Sequence, residues 1–415
     1  MSRLEAIEAV SHVNREKHFN VDNLRESARR RLPSAIFDFL EGGADDEWTL
    51  GRNTNAFEEY EFVPHRLDNV GDVDTRTTLL NVDLDWPVIL SPTGMSKLFH
   101  RQGELAVARA AAAAGTLYTL SAMGTESIES IASAANGPKM FQAYIFRDRG
   151  LTKELVERCR QSQYDALCLT MDTPIAGNRE RDKTSGMTMP PRFTWRSLAS
   201  FISHASWTID ALGRSKGMEL ANIAHRATSL RSSTISVMQY VNSQFDSSLT
   251  WKDVDWLRQL WDGPFVLKGV LSVDEAQKAA SMGASAIMVS NHGGRQLDGL
   301  PASIDRVGEI ADAVGDKVEI IVDGGIRRGT HILKALALGA RACSIGRPYL
   351  YGLAAGGERG VQLVLSHLRT ELERNMILLG VPNLSVLSSK YVRRREARAR
   401  KTDGKNSKDY PERCG

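Results

Sequence analysis

The chain has 415 residues, 42% of them hydrophobic and 25% charged, which is enough apolar sequence to bury a large core as one α/β unit with insertions. Its formal net charge is only +3, and residues 390–415 alone carry ten Lys and Arg against four Asp and Glu, which leaves about −3 for the rest. The body is therefore not a polyanion binder, and no specific nucleic-acid partner is expected.

In chain order, the opening MSRLEAIEAV carries acidic residues and no apolar core, so it does not read as a signal peptide. Helical patterning comes next at Val21–Arg31 and Pro33–Leu40, with a stop at Gly42 and Gly43. Residues 1–80 are expected to form a helical segment that caps the main body of the fold. From residue 87, eight short apolar runs alternate with helix-period segments such as Gly103–Ala114 and Leu151–Gln163. The runs are PVILSP, LYTLSA, KMFQAYI, ALCLTMD, FVLKGV, AIMVSN, EIIVDGG and ACSIGR. Strands alternating with helices give parallel βαβ units, and eight of them close into a (β/α)8 TIM barrel, here over residues 81–388.

Between the fourth and fifth runs lies a stretch far longer than an ordinary βα loop, with an insertion over about 183–250. It carries Phe193, Trp195, Phe201, Trp207 and Ile209 among Arg192, Arg196, Arg214 and Lys216. Residues 389–415, containing YVRRREARARK, are expected to be a basic, disordered tail. No uncharged apolar run reaches the 18 residues that would suggest a membrane span. The cysteines Cys159, Cys168, Cys343 and Cys414 show no CxxC spacing; no metal site is expected, and a reduced, cytosolic compartment is.

Barrel chemistry sits at the C-terminal ends of the strands. There the sequence offers Thr93, Ser121, Gln142 with Tyr144, Thr170 with Asp172, Lys268, His292 with Arg295, Asp323, and Gly346 with Arg347. The run SNHGGRQLD sets an imidazole and a guanidinium around two glycines, which suits proton abstraction next to an anionic group. DGGIRRG and IGRP, after the seventh and eighth strands, combine glycines with Arg327 and Arg347 and suit a phosphate. Lys268, at a strand end inside a barrel mouth, would stabilise a ring that becomes anionic on reduction, which favours a flavin; no GxGxxG follows an early strand to support a dinucleotide fold.

SNHGGRQLD, LKGV, DGGIRRG and IGRP, with SPTGM, FQAY and LTMDTP, resemble the FMN-dependent L-2-hydroxy acid oxidases and dehydrogenases over roughly residues 20–388. That resemblance implies FMN as cofactor, a small 2-hydroxy acid oxidised to its 2-oxo acid, and a homo-oligomer, a tetramer in the family. By matching position it implies His292 as base, Asp172 as the carboxylate that orients it, Arg179 and Arg295 on the substrate carboxylate, and Tyr144 on the substrate oxygen. Thr93, Gly94, Ser121, Gln142 and Thr170 would meet the isoalloxazine, Lys268 its N1 and C2 carbonyl, and Asp323 the ribityl chain. Gly325, Arg327, Gly346 and Arg347 would hold the phosphate.

Three positions depart from the usual pattern. Phe39 stands where most relatives have a tyrosine on the substrate carboxylate, a loss worth about 1.5–3 kcal/mol unless another donor replaces it. Met123 stands at the glycolate oxidase tryptophan, and the two changes favour a bulky or apolar side chain on the substrate. Gly94 matches the mandelate dehydrogenase branch rather than the alanine of the oxidases. The expected enzyme is therefore a dehydrogenase passing electrons to a quinone or another acceptor, cytoplasmic and docked at the inner face of the membrane through residues 183–216. The alternatives are a soluble oxidase that releases hydrogen peroxide and, in another class, a non-redox FMN barrel such as an isomerase.

Overall fold

The computed structural model describes residues 18–65, 71–188, 192–212, 219–227, 240 and 242–395. The chain enters through helices α1 (Val21–Arg31), α2 (Ser34–Glu41) and α3 (Trp48–Asn55). Asn20 caps α1 by accepting from the Asn23 amide at 3.0 Å, and Asp22 in the first turn with Arg29, Arg30 and Arg31 in the last complements the helix dipole. Three short strands come after them, β1 (Tyr60–Phe62), β2 (Thr77–Leu79) and β3 (Val82–Leu84).

The next eight strands all fall inside the eight apolar runs: β4 (Val88–Leu90), β5 (Tyr118–Ser121), β6 (Lys139–Ala143), β7 (Ala166–Thr170), β8 (Phe265–Val270), β9 (Ala286–Val289), β10 (Glu319–Asp323) and β11 (Ala342–Ile345). Each pairs in parallel with the next and β11 returns to β4, so the barrel is closed. The intervening helices are α4 (Gly103–Ala113), α5 (Ile128–Ala134), α6 (Arg149–Gln161), α7 (Glu180–Ser185), α8 (Trp195–Ser203), α9 (Ala205–Leu212), α10 (Trp251–Gln259), α11 (Val273–Ser281), α12 (Ser303–Val314) and α13 (Gly329–Ala337). The last, α14 (Arg347–Leu379), is interrupted at Gly356 and Gly357.

Two apolar cores result. The larger lies between the strands and the surrounding helices; the smaller fills the barrel with Ile89, Met140, Cys168, Val266, Met288 and Ile321. The smaller core also takes Leu79, Leu80 and Leu84 from the β2–β3 hairpin, which plugs the N-terminal end of the barrel. That leaves the opposite end open to chemistry. The hairpin turns through Leu80 and Asn81 at φ 53° and 62°, the geometry of a tight two-residue turn.

One expectation is corrected. Residues 389–395, assigned to a disordered tail, are ordered: Ser389–Tyr391 forms a short helical turn and β12 (Val392–Arg394) pairs antiparallel with β1. Arg393 and Arg395 bond Glu61, and Arg394 bonds Glu59, so the basic run is neutralised by acids more than 300 positions earlier. Residues 396–415 lie outside the described residues, as do Arg214 and Lys216 of the insertion.

Leu24, Ala28 and Leu32 of the N-terminal segment are fully buried, and α1 packs along α14. Leu24→Ala is therefore expected to cost about 2–5 kcal/mol. In urea, followed by circular dichroism, the whole transition should move to lower denaturant as one step; early loss of a separate N-terminal phase would contradict the packing.

Candidate active site

The open mouth is a cleft of about 280 Å³. Of the residues the sequence proposed, Phe39, Thr93, Gly94, Ser121, Met123, Tyr144, Arg179, Lys268, His292, Arg295, Asp323, Gly325, Arg327, Gly346 and Arg347 line it. Gln142 and Thr170 do not: both are buried at the ends of β6 and β7. Gln142 acts behind the lining, accepting from the Ser121 hydroxyl at 2.9 Å and donating to the Ala143 carbonyl. Asp172 also stands behind the surface, reached through His292.

His292 opens the loop after β9 with φ 58°, a strained conformation for a residue other than glycine. Its Nδ1 lies 2.9 Å from Asp172 Oδ1. A carboxylate there requires a proton on Nδ1, so Nε2 carries the lone pair and is the nitrogen free to accept a proton. Burial pushes the Asp172 carboxyl up, but the charge of His292 and its hydrogen bond outweigh that and hold it below the ordinary range. Tyr144 faces the same cleft with its hydroxyl raised to about 12, by burial first and then by the Asp172 charge. It stays a neutral donor.

Beneath them lies a buried ion pair. Lys268 Nζ is 3.2 Å from Asp323 Oδ2. Ser290 donates to that same oxygen at 2.6 Å, and Ser91 donates to Oδ1 at 2.6 Å. Ser290 Oγ in turn accepts from Lys268 Nζ at 3.0 Å and from the His292 amide at 3.1 Å. Burial opposes both charges, yet the pairing wins: the lysine is raised and the aspartate lowered.

The guanidiniums form a second group. Arg295 Nη1 and Arg347 Nη2 both donate to the Gly42 carbonyl, at the C-terminal end of α2. Burial, with the charges of Arg179 and Arg347, holds Arg295 well below the ordinary guanidinium range. Arg179 pairs with Asp182 at 2.8 Å, and its Cζ lies 5.4 Å from the Phe39 ring, as does that of Arg295. Phe39, which removes a hydroxyl, thus supplies an aromatic face to two cations.

These residues fit FMN. Arg295, Arg327 and Arg347 line one cleft with their hydrogen bonds going to backbone carbonyls, and Lys268 lies beneath it on Asp323. After β10, Gly325 holds φ 77° with its backbone so close to Asn53 that a Cβ would fall 1.9 Å from the Asn53 carbonyl oxygen; only glycine permits this loop beside Arg327. At the opposite edge a Cβ on Gly94 would come 2.9 Å from Met123 Cβ.

Residues 28–394 match the model of the FMN-dependent dehydrogenases. The chain is 40% identical over 373 residues to glycolate oxidase of Spinacia oleracea, covering 90% of this chain and 95% of that protein. It is 39% identical over the same length to glycolate oxidase 1 of Zea mays, with the same coverage. Among solved structures it is similar to the monotopic membrane protein (S)-mandelate dehydrogenase, with TM-score 0.87, 35% identity, and 91% and 99% of the two chains covered. A mandelate oxidase structure with (S)-4-hydroxymandelic acid gives TM-score 0.79 at 35% identity, covering 91% and 98%.

Sequence reasoning missed Ser290 and Ser91, which join the ion pair, Asp182, which holds Arg179, and Phe245 with Asn242, which enter the cleft from the insertion. Ser290 stands inside SNHGGRQLD and could have been found there; a serine two residues before a φ-positive base is a candidate for its support. Removing one partner of the buried pair should be costly: Lys268→Met is expected to lose about 3–5 kcal/mol. The double variant Lys268→Met/Asp323→Asn should recover part of that in urea unfolding, whereas additive losses would show that the pair is not coupled.

Proposed function

The chain belongs to the FMN-dependent dehydrogenase family and oxidises 2-hydroxy acids, and from that premise we propose which acid it takes, which residues act, and where the electrons go. The observation that carries the reading is the His292–Asp172 pair at 2.9 Å, facing a cleft that also presents Arg179, Arg295 and Tyr144. The two guanidiniums hold the substrate carboxylate and fix the L enantiomer with its hydroxyl toward Tyr144 and His292. His292 Nε2 takes the proton that leaves the substrate, and Asp172 stabilises the imidazolium that results. Thr93, Gly94, Ser121 and Lys268 would hold the ring end of FMN, Asp323 its ribityl chain, and Gly325, Arg327, Gly346 and Arg347 its phosphate. When bound, FMN supplies the two-electron acceptor.

The substrate carries an apolar side chain. Phe39, Met95, Phe99, Met123 and Phe245 line the cleft, and Phe245 meets the Tyr144 ring edge-on at 5.3 Å and 87°. A side chain as small as a hydrogen or methyl would leave that wall against water, so a mandelate-like acid is favoured over glycolate.

Electrons pass to a quinone or a similar acceptor at a membrane. No helix among the described residues is long and apolar enough to cross one. Instead α8 exposes Trp195, Leu198 and Ile202 at 73%, 52% and 79%, spaced along one face, and α9, which packs against α8, exposes Ile209 at 68%. Arg196 lies over the Trp195 ring at 5.4 Å, the mixture of aromatic and basic groups that suits a lipid interface. The close contact of Gly94 with Met123 also supports this reading, because the alanine of the oxidase branch would have to displace Met123. The identity with plant glycolate oxidases favours a second reading, an oxidase that uses oxygen.

Anaerobic mixing of the FMN-loaded protein with a panel of L-2-hydroxy acids should bleach the flavin, fastest with bulky apolar acids, and His292→Ala should keep the flavin and lose the bleaching. Re-oxidation should be fast with a quinone analogue and slow with oxygen; the reverse order establishes the oxidase reading, and lactate or glycolate as much the best substrate overturns the apolar one. Replacing Trp195, Leu198 and Ile202 by Ser should release the protein from anionic vesicles in a sedimentation assay while bleaching is unchanged. Equal sedimentation of variant and parent would end the membrane proposal.

A further inference from the structure

His331 takes no part in the chemistry above, yet it lies behind the loop after β10. It sits in the first turn of α13, and its ring stacks on Phe57 with centroids 4.3 Å and planes 5° apart. This contact with the N-terminal segment fixes the plane of the imidazole. Its Nδ1 is 3.3 Å from the Arg327 amide nitrogen and 3.2 Å from the Gly325 carbonyl oxygen. One ring nitrogen thus faces a backbone donor and a backbone acceptor on either side of Ile326.

It can serve only one of them at a time. With a lone pair, Nδ1 accepts from the Arg327 amide; with a proton, it donates to the Gly325 carbonyl. Burial, aided by the charges of Lys334, Arg327 and Arg328 and opposed by the Gly325 contact, holds the ring pKa down to about 3, so the choice lies between two neutral tautomers. The loop itself has little slack, because Gly325 is wedged against the Asn53 carbonyl.

We propose that His331 is a positioning residue for the phosphate end of the cleft: its ring nitrogen holds the Arg327 amide in one tautomer and the Gly325 carbonyl in the other, and so keeps the loop between them in the shape that it presents to a phosphate. The inference rests on the reading that Gly325, Arg327, Gly346 and Arg347 hold the FMN phosphate. It adds that the loop is tuned from behind, by a side chain that does not line the cleft.

Apoprotein titrated with FMN and with riboflavin, followed by flavin fluorescence, separates the two layers. The parent should prefer FMN, and Arg327→Ala should lose much of that preference. His331→Leu should weaken FMN about tenfold, because the phosphate must then order the loop itself at about the scale of one hydrogen bond, and leave riboflavin within roughly twofold. His331→Asn, whose amide presents both a donor and an acceptor, should restore most of the FMN affinity. A retained FMN preference in Arg327→Ala overturns the phosphate reading and this inference with it. If Arg327→Ala loses the preference while His331→Leu binds FMN like the parent, or loses riboflavin equally, the phosphate reading stands and the role of His331 is overturned. A readout independent of how the leucine variant folds is the ring ¹⁵N spectrum of labelled histidine, with His331 assigned by its absence in His331→Asn. FMN should shift the His331 Nδ1 signal, because the loop that this nitrogen holds is the one that meets the phosphate, and riboflavin should leave it in place; a signal that FMN does not move overturns the proposal.

Discussion

The Lys268–Asp323 pair is the constraint around which the mouth of the barrel is organised. Two opposite charges have been taken out of water, at a cost their mutual attraction repays only if every remaining donor and acceptor is also served. Ser290 and Ser91 meet that demand, one on each aspartate oxygen. Because Ser290 also accepts the His292 amide, the network that keeps the lysine charged also fixes the backbone of the proposed base. Four strands, β4, β8, β9 and β10, are thereby tied at one level. A disturbance at Lys268 or Asp323 is passed to the His292 backbone through a single hydroxyl, that of Ser290.

A different device assembles the cations. Three guanidiniums, Arg179, Arg295 and Arg347, line the cleft, and without help they would repel one another. The C-terminal end of α2 receives two of them on the Gly42 carbonyl, where the helix dipole is negative. Asp182 takes Arg179, and the Phe39 ring lies against both Arg179 and Arg295. The N-terminal segment is therefore a working wall of the site as well as a cap. Its register is set by α1 against α14, far from the chemistry.

Most of the barrel was legible because buried parallel strands read as continuous apolar runs, and their polar ends stand out against them. Residues such as His292, Asp172 and Arg347 were found in this way and by resemblance, and the structure brings them to one mouth. The hairpin that plugs the other end was not, since Leu80 and Asn81 make its turn without the glycine that usually announces one. The order of residues 389–395 was also hidden, because a basic run looks solvated until its partners Glu59 and Glu61 are known. Serines at strand ends are equally silent. Ser91 and Ser290 acquire meaning only when the closure of the barrel places both on Asp323. Phe245 came from an insertion whose sequence shows no period that would aim it into the cleft.

In the function proposed above, a 2-hydroxy acid lies with its carboxylate on Arg179 and Arg295 and its hydroxyl carbon before His292. A crystal structure of the FMN-loaded protein with a 2-oxo acid product bound tests it most directly. The carboxylate should lie on both guanidiniums, the keto oxygen within hydrogen-bond distance of Tyr144 and His292 Nε2, and His292 Nδ1 still on Asp172. A product whose carboxylate avoids Arg179 and Arg295, or one that leaves His292 Nε2 facing only solvent, would contradict it.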